Sequence, residues 1–158
     1  MRRFLFVFVP GFLIGCAVGA FGWYAFSPLL FDDVVAEDLA EATVIAEGRF
    51  RDADRAHQGS GTARIVALPS GGFEVQLREF SVTNGPDLEV WLSAHPDPAS
   101  NADVTENDWL ALGQLKGNIG DQAYPLPAGA APTDYRSVVI WCEQFGVLFS
   151  PAALSPAG

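Results

Sequence analysis

Three side chains of this sequence carry chemistry that proteins use for redox reactions and metal binding: Cys142, His57 and His95. A cysteine thiolate can act as a redox group or as a ligand of a metal or of haem iron, and a nearby histidine can assist it. By the two-residue alternation of a strand, Cys142 shares one face with Val138 and Ile140. This spacing favours a small buried side chain, a role that suits cysteine, and the redox role stays open beside it. We expect His57 to hydrogen-bond within a loop and His95 to face solvent.

The patterns typical of hydrolases and nucleotide-binding enzymes are missing from the sequence. Residues 59–61 lack the outer positions of a nucleophile elbow, and there is no phosphate loop or dinucleotide fingerprint. Residues 52–54 begin like a calcium loop, but Ala56 occupies its fifth position and no glutamate occupies its twelfth. The acidic residues between 97 and 108 are expected to be solvated rather than to bind calcium. We therefore predict no metal site, assign no cofactor and lean towards a protein that is not an enzyme.

The element that positions Cys142 is predicted to be a strand of an all-β fold. Residues 62–68 and 73–80 are predicted to form a hairpin, because a turn-forming segment at 69–72 separates two strand-like runs. Further short strands are predicted at residues 88–92, 109–115, 123–126, 137–142 and 146–149, with a polar loop over 94–108. Many short strands with frequent turns indicate an antiparallel β-sandwich or barrel.

A sharp structural turn is predicted at Asn84, Gly85, Pro86 and Asp87, directly before the strand at 88–92. Asparagine and glycine tolerate positive φ, and proline fixes its own φ. We expect Gly85 to hold a positive φ, so that a β-branched residue at this position would be strained.

Residues 4–31 form an uncharged, mainly apolar run of 28 positions. About 20 apolar residues cross the hydrocarbon core of a bilayer as a helix, so residues 1–31 are predicted to be a signal-anchor transmembrane helix. Arg2 and Arg3 precede the run and acidic residues follow it, which predicts a cytoplasmic N-terminus and a periplasmic or extracellular domain. Residues 13–16 resemble a lipobox that would place a lipid on Cys16. The chain stays apolar well beyond that cysteine, which favours the uncleaved anchor.

Residues 32–47 are predicted to be a juxtamembrane stalk, because apolar residues recur at helical spacing with acids between them. The chain beyond residue 31 carries all 19 acidic residues and seven of the nine basic ones, a formal net charge of −12. Nucleic-acid-binding surfaces are basic, so nucleic acid is excluded as a partner. The negative charge favours solubility or the steering of a cationic partner.

Four ordered motifs resemble the DM-thirteen domain, also called the electron-transfer DM domain: residues 57–63, 80–88, 112–117 and 137–142. They include His57, Gly59, Gly61 and Trp141, and the resemblance covers residues 48–154. It implies a compact β-domain whose single cysteine, matched here by Cys142, is proposed for the family as a redox centre. In bacteria such domains commonly stand alone behind a membrane anchor, which is the arrangement predicted here.

Two functions from different classes follow from these observations. The first is a membrane-anchored redox accessory that acts through Cys142. Its electron donor would be another redox or envelope protein, since the chain has neither a cytochrome-like DOMON domain nor a haem-attachment motif. The second is a non-catalytic binding or adhesion module that uses the turn at 84–87 and the acidic loops. The accessibility of the Cys142 thiol discriminates between them.

Overall fold

The computed structural model describes residues 2–26 and 31–157, in two compact units, Met1–Phe31 and Asp32–Gly158. In the first unit, helix α1 spans Arg2–Phe26 and contains Pro10. Among the residues that the structure describes, no helix has the length and apolar character needed to cross a membrane. The predicted transmembrane helix over residues 4–31 is therefore unsupported, and its residues 27–30 lie outside the described residues.

The second unit is built from two β-sheets, in agreement with the predicted all-β sandwich. Residues 31–157 contain ten strands: β1 (Val34–Ala36), β2 (Thr43–Arg49), β3 (Gly59–Ala67), β4 (Phe73–Val82), β5 (Leu88–Ser93), β6 (Trp109–Gln114), β7 (Ile119–Pro125), β8 (Ser137–Cys142), β9 (Val147–Ala153) and β10 (Ser155–Pro156). The larger sheet has the order β1-β7-β4-β3-β2-β10, and the smaller one has the order β6-β5-β8-β9. All pairs are antiparallel except β1 with β7.

The predicted hairpin of residues 62–68 and 73–80 is confirmed as β3 and β4. Their pairing runs from Gly59 opposite Val82 to Ala67 opposite Phe73. Alternating side chains on one face of these strands enter the core between the sheets, because successive residues of a strand point to opposite faces.

The smaller sheet is covered on both faces. Its inner face contributes Val90 and Ile140 to the main core. Its outer face carries a second apolar group, the outer cluster, which consists of Trp91, Val104, Val139, Trp141 and Leu148. All six residues of β8 are consequently buried, and strands buried on both faces are the positions where a small change in side-chain volume is felt most.

The helix predicted over residues 32–47 is wrong, because this segment supplies β1 and β2. Thr43, Val44 and Ile45 are consecutive β-branched residues, which fit a pleated strand better than a helix. The connecting segment is fixed by Glu37, whose carboxylate accepts the Ala123 N–H at 2.8 Å and pairs with Lys116 Nζ at 2.7 Å. The segment therefore belongs to the second unit, joined to it by strand pairing.

The predicted loop over residues 94–108 contains one short helix, α2 (Asn101–Thr105). Ser100 Oγ accepts the Asp103 N–H at 3.3 Å, and Asp103 Oδ2 accepts the Ser100 N–H at 2.9 Å. This reciprocal capping box usually has glutamate or glutamine at the fourth position, and the shorter aspartate here hides it in the sequence. The helix places Val104 in the outer cluster.

Candidate functional site

Cys142 is the last residue of β8 and lies on the inner face of the smaller sheet. It is 0% exposed and belongs to the main core with Val138 and Ile140, so the face predicted from two-residue alternation is confirmed. Its neighbour Trp141 points to the opposite face, into the outer cluster. Across the sheet, Cys142 pairs with Leu88 of β5.

The sulfur of Cys142 lies against the predicted turn. Its Sγ donates a hydrogen bond to the carbonyl oxygen of Pro86 at 3.0 Å. Burial raises the pKa of the Cys142 thiol, and the negative charges of Asp87 and Glu143 raise it further, against the lowering effect of nearby backbone N–H groups. The group is therefore a protonated hydrogen-bond donor in the folded domain, whereas reactive cysteines are accessible thiolates in positive surroundings.

The turn that holds Pro86 is present, but the position of its unusual backbone conformation differs from the prediction. Asp87 has a φ of +53°, and Gly85 is not among the residues with positive φ. Gly85 is needed for a close approach instead: a Cβ on it would lie 2.6 Å from two ring carbons of Phe149. The expectation of positive φ at Gly85 is wrong, because the next-but-one residue, an aspartate able to adopt the left-handed region, makes the reversal.

His57 packs against the ring of Phe149. The His57 and Phe149 rings are 4.3 Å apart between centroids, and His57 Nδ1 lies 2.8 Å from Asp54 Oδ2. The His57 side-chain hydrogen bond is the main cause of the lowered pKa of Asp54. The role predicted for His57, a hydrogen-bonding loop residue, is confirmed. His57 does not touch Cys142 directly. It contacts Phe149, which packs on Gly85 of the turn, and the turn contacts Cys142 through Pro86.

Gly59, Gly61 and His95, which the sequence also singled out, make packing or hydrogen-bond contacts within the domain. Gly61 has a φ of +102° and lies so close to the backbone of Phe80 that a Cβ would be 2.7 Å from its Cα. Gly59 packs closely on Ser150, which leaves no room for a side chain. His95, predicted to face solvent, is half-buried, and its Nδ1 accepts the Asp97 N–H at 3.2 Å.

Two acidic side chains of the loop over residues 94–108 make contacts within the protein. Asp97 pairs with Arg51 at 2.7 Å, and Asp103 caps α2. Within residues 2–26 and 31–157, no three histidine, cysteine or acidic side chains cluster in a way that would hold a metal ion. Cys142 accordingly belongs to no such group of three among the described residues.

A polar cavity of about 450 Å³ opens beside the motifs at residues 57–63 and 80–88. Its lining includes Asp32, Asp52, Ser60, Ser81, Asn84 and Asn118. Asp32 Oδ1 accepts the side-chain amides of Asn84 at 3.0 Å and of Asn118 at 2.9 Å. Carboxylate, amide and hydroxyl groups therefore converge on one opening, which suits a polar ligand.

A stack of three tryptophans, which the sequence reasoning missed, lies on the outer face of the smaller sheet. The Trp91 and Trp109 rings are 4.1 Å apart with an interplanar angle of 12°, and the Trp91 and Trp141 rings are 5.2 Å apart with an angle of 29°. Strand register causes this arrangement: Trp91 is opposite Ala111 and Val139, so the two other indoles are its diagonal neighbours. The available signal was one tryptophan in each of three predicted strands, at residues 88–92, 109–115 and 137–142.

The family model of Electron transfer DM13 matches residues 49–154, about two thirds of the chain. The search of curated proteins and the search of solved structures each give no match. The matched range covers the turn, Cys142 and the tryptophan stack, and it begins after β1 and within β2.

Proposed function

The chain belongs to the Electron transfer DM13 family, and from this premise we propose that it is a redox accessory in which Cys142 donates a single electron to a protein partner. The step converts the Cys142 thiol to a thiyl radical. One electron passes to the oxidised partner, and the S–H proton passes to one of the two carboxylates whose charges act on the thiol, Asp87 or Glu143. The protein acts as an accessory and not as an enzyme, because it supplies an electron without a substrate site at the sulfur.

The observation that carries this proposal is the hydrogen bond between Cys142 Sγ and the Pro86 carbonyl in a fully buried position. Thiol–disulfide exchange requires a thiolate that can approach another sulfur directly. A protonated thiol that is 0% exposed does not offer this. Cys142 is moreover the single cysteine of the unit Asp32–Gly158. Electron transfer is the thiol chemistry that survives burial, since an electron can leave without contact between the reacting atoms.

The test uses the full chain with Cys16→Ser, so that Cys142 is the only thiol. Photogenerated ruthenium(III) tris-bipyridine serves as the one-electron oxidant. The sample is frozen rapidly, and electron paramagnetic resonance detects the thiyl radical directly, without a reagent that must reach the buried sulfur. We expect a thiyl signal in Cys16→Ser and none after the further change Cys142→Ala. The matched control is Cys16→Ser with Ser150→Ala, which alters another buried small side chain and should keep the signal. Absence of the signal in folded Cys16→Ser would overturn the proposal.

A second candidate is a binding module, supported by the polar cavity beside the family motifs. Two carboxylates and several amide and hydroxyl groups suit a small organic cation. Asp52→Asn keeps the shape of the side chain, whose Oδ1 accepts the Gly59 N–H at 3.0 Å, and removes its charge. Saturation-transfer nuclear magnetic resonance with a diamine as probe should detect binding to the wild type and weaker binding to Asp52→Asn. A diamine that does not bind the wild type would contradict this role.

We also propose that residues 4–31 anchor the chain in a membrane, with the N-terminus cytoplasmic and the β-domain outside. The support is the uncharged run of 28 residues after Arg2 and Arg3. A reporter fused after the last residue should be active outside the cytoplasm and should sediment with membranes after alkaline washing. Recovery of a soluble product that begins near residue 32 would contradict the anchor. A product that begins with lipidated Cys16 would replace the transmembrane anchor by a lipid one.

A further inference from the structure

We propose that Trp109, Trp91 and Trp141 form a one-electron relay between the protein surface and the strand that carries Cys142, with Glu89 as the proton acceptor for Trp91. The inner end of the relay rests on the redox function proposed above for Cys142. Its outer part, from Trp109 to Trp91, stands on the geometry of the stack alone.

The three indoles span the distance from solvent to a buried strand. Trp109 is 46% exposed, whereas Trp91 is 4% and Trp141 is 2% exposed. Adjacent rings are in stacking contact, at 4.1 Å and 5.2 Å between centroids. Indole is among the side chains that lose an electron most readily, and overlapping rings allow the resulting positive charge to move from one to the next. A hole created at Trp109 can therefore reach Trp141, whose backbone is joined directly to that of Cys142.

The hydrogen bond of Trp91 identifies where the proton goes. Trp91 Nε1 donates to Glu89 Oε2 at 2.7 Å. Loss of one electron makes an indole N–H strongly acidic, and a carboxylate at hydrogen-bond distance accepts the proton without rearrangement. The balanced outer step is the following: the external oxidant gains one electron through Trp109, Trp91 becomes a neutral radical, and Glu89 becomes a neutral carboxylic acid. In the inner step, Cys142 gives one electron through Trp141 to the Trp91 radical, Glu89 returns its proton to Trp91 Nε1, and the S–H proton passes to Asp87 or Glu143, as proposed above.

Two of the three indoles are buried, and the third reaches solvent. Trp91 and Trp141 fill the outer cluster with Val104 and Leu148. Trp109 does not belong to that buried cluster: its ring stacks on Trp91 and stays about half exposed, so it gains only part of the free energy that full burial provides. In the chain, Trp109 closely follows Glu106 and Asp108, which are also exposed. The relay therefore opens beside an acidic segment, which favours a cationic one-electron oxidant.

The test uses the full chain with Trp23→Phe, because Trp23 of α1 is 62% exposed and would be oxidised directly. Ruthenium(III) tris-bipyridine, a cation, is generated by a laser flash, and transient absorption distinguishes the tryptophan radical cation from the neutral radical. We expect the Trp23→Phe protein to give the neutral radical. Trp109→Phe should lose most of the radical yield, while Phe145→Leu, which changes another exposed aromatic residue, should not.

Glu89→Gln separates the proton step from the electron step. The amide retains an acceptor oxygen for the indole N–H but cannot take its proton, so the radical cation should persist in place of the neutral radical. An unchanged yield in Trp109→Phe, or prompt formation of the neutral radical in Glu89→Gln, would overturn the relay. Cys142→Ala should lengthen the lifetime of the tryptophan radical if Cys142 is the final donor. An unchanged lifetime with these other effects intact would reject the role of Cys142 and leave the outer relay standing.

Discussion

Gly85→Ala tests whether the turn above Cys142 depends on close packing against Phe149. The added Cβ would lie 2.6 Å from ring atoms Cε1 and Cζ of Phe149, and 3.0 Å from Cδ2 of Leu88. Ordinary carbon contacts are about 3.5–4.0 Å, so the ring would have to retreat by about 1 Å. The ring also packs against His57 at 4.3 Å between centroids, and His57 is held by Asp54, so the surroundings of the ring are filled.

The expected cost is that of overpacking a well-filled site, about 2 kcal/mol within the usual range of 1–3 kcal/mol. For a domain of this size such a loss lowers Tm by roughly 6–10 °C. Urea denaturation measures the free energy of unfolding, and a double-mutant cycle with Phe149→Leu isolates the contact. If the contact is the cause, Gly85→Ala should cost at least about 1 kcal/mol less in the Phe149→Leu background.

Gly129→Ala is the matched control, because Gly129 has a φ of +93° and open space where a Cβ would be. It should lose about 1–2 kcal/mol through backbone strain alone and show no coupling to Phe149→Leu. An unchanged Tm in Gly85→Ala, or the same loss with and without the Phe149 ring, would refute the packing argument.

Three further predictions concern pH, an ion pair and a helix cap. Because the Cys142 pKa is raised on folding, the unfolded chain loses this proton first, and stability should fall above about pH 8.5 by up to about 1.4 kcal/mol per pH unit. Urea titrations of Cys142→Ala should lack this component, and equal slopes in both proteins would contradict it. Glu37→Gln should cost at most about 1 kcal/mol, since its partly exposed pair with Lys116 is screened by solvent. Folding lowers the pKa of Glu37, so the higher Tm of the wild type over Glu37→Gln should disappear as acid protonates Glu37. A difference in Tm that persists in acid would argue against the pair. Ser100→Ala should remove the cap of α2 at a cost of about 1 kcal/mol, measured by urea denaturation, and no loss would show that the cap is dispensable.

Local alternation was sufficient to predict the parts of the fold that depend on neighbouring residues. The hairpin of β3 and β4 and the inward position of Cys142 follow from the two-residue period of a strand. Val138, Ile140 and Cys142 indeed share the main core. The same argument failed for residues 32–47, because their apolar spacing also fits a helix. Pairing of β1 with β7, from Val34 opposite Ile119, decides the outcome, and such a long-range partner is not visible in the segment itself.

The candidate site was predictable in its residues but not in its contacts. The motifs drew attention to His57, Gly85 and Cys142, yet the side chain that links His57 to the turn is Phe149, which lies in a strand far along the chain. The tryptophan stack depends in the same way on strand register. Trp109 and Trp141 meet Trp91 only because β6 and β8 flank β5, and neither the strand order nor the register is readable from local sequence.

The position of Cys142 reconciles its buried thiol with membership of an electron-transfer family. Because successive residues of a strand point to opposite faces, β8 carries Trp141 in the outer cluster and Cys142 in the main core. One peptide unit therefore joins the tryptophan stack to the thiol, within a strand whose six residues are all buried. The burial that suppresses thiolate chemistry also protects the sulfur from irreversible oxidation, which follows thiolate character and exposure. In the relay that we propose, Trp109 meets the oxidant while the sulfur stays enclosed, so that reaction at the surface and storage of the radical in the interior fall to different residues.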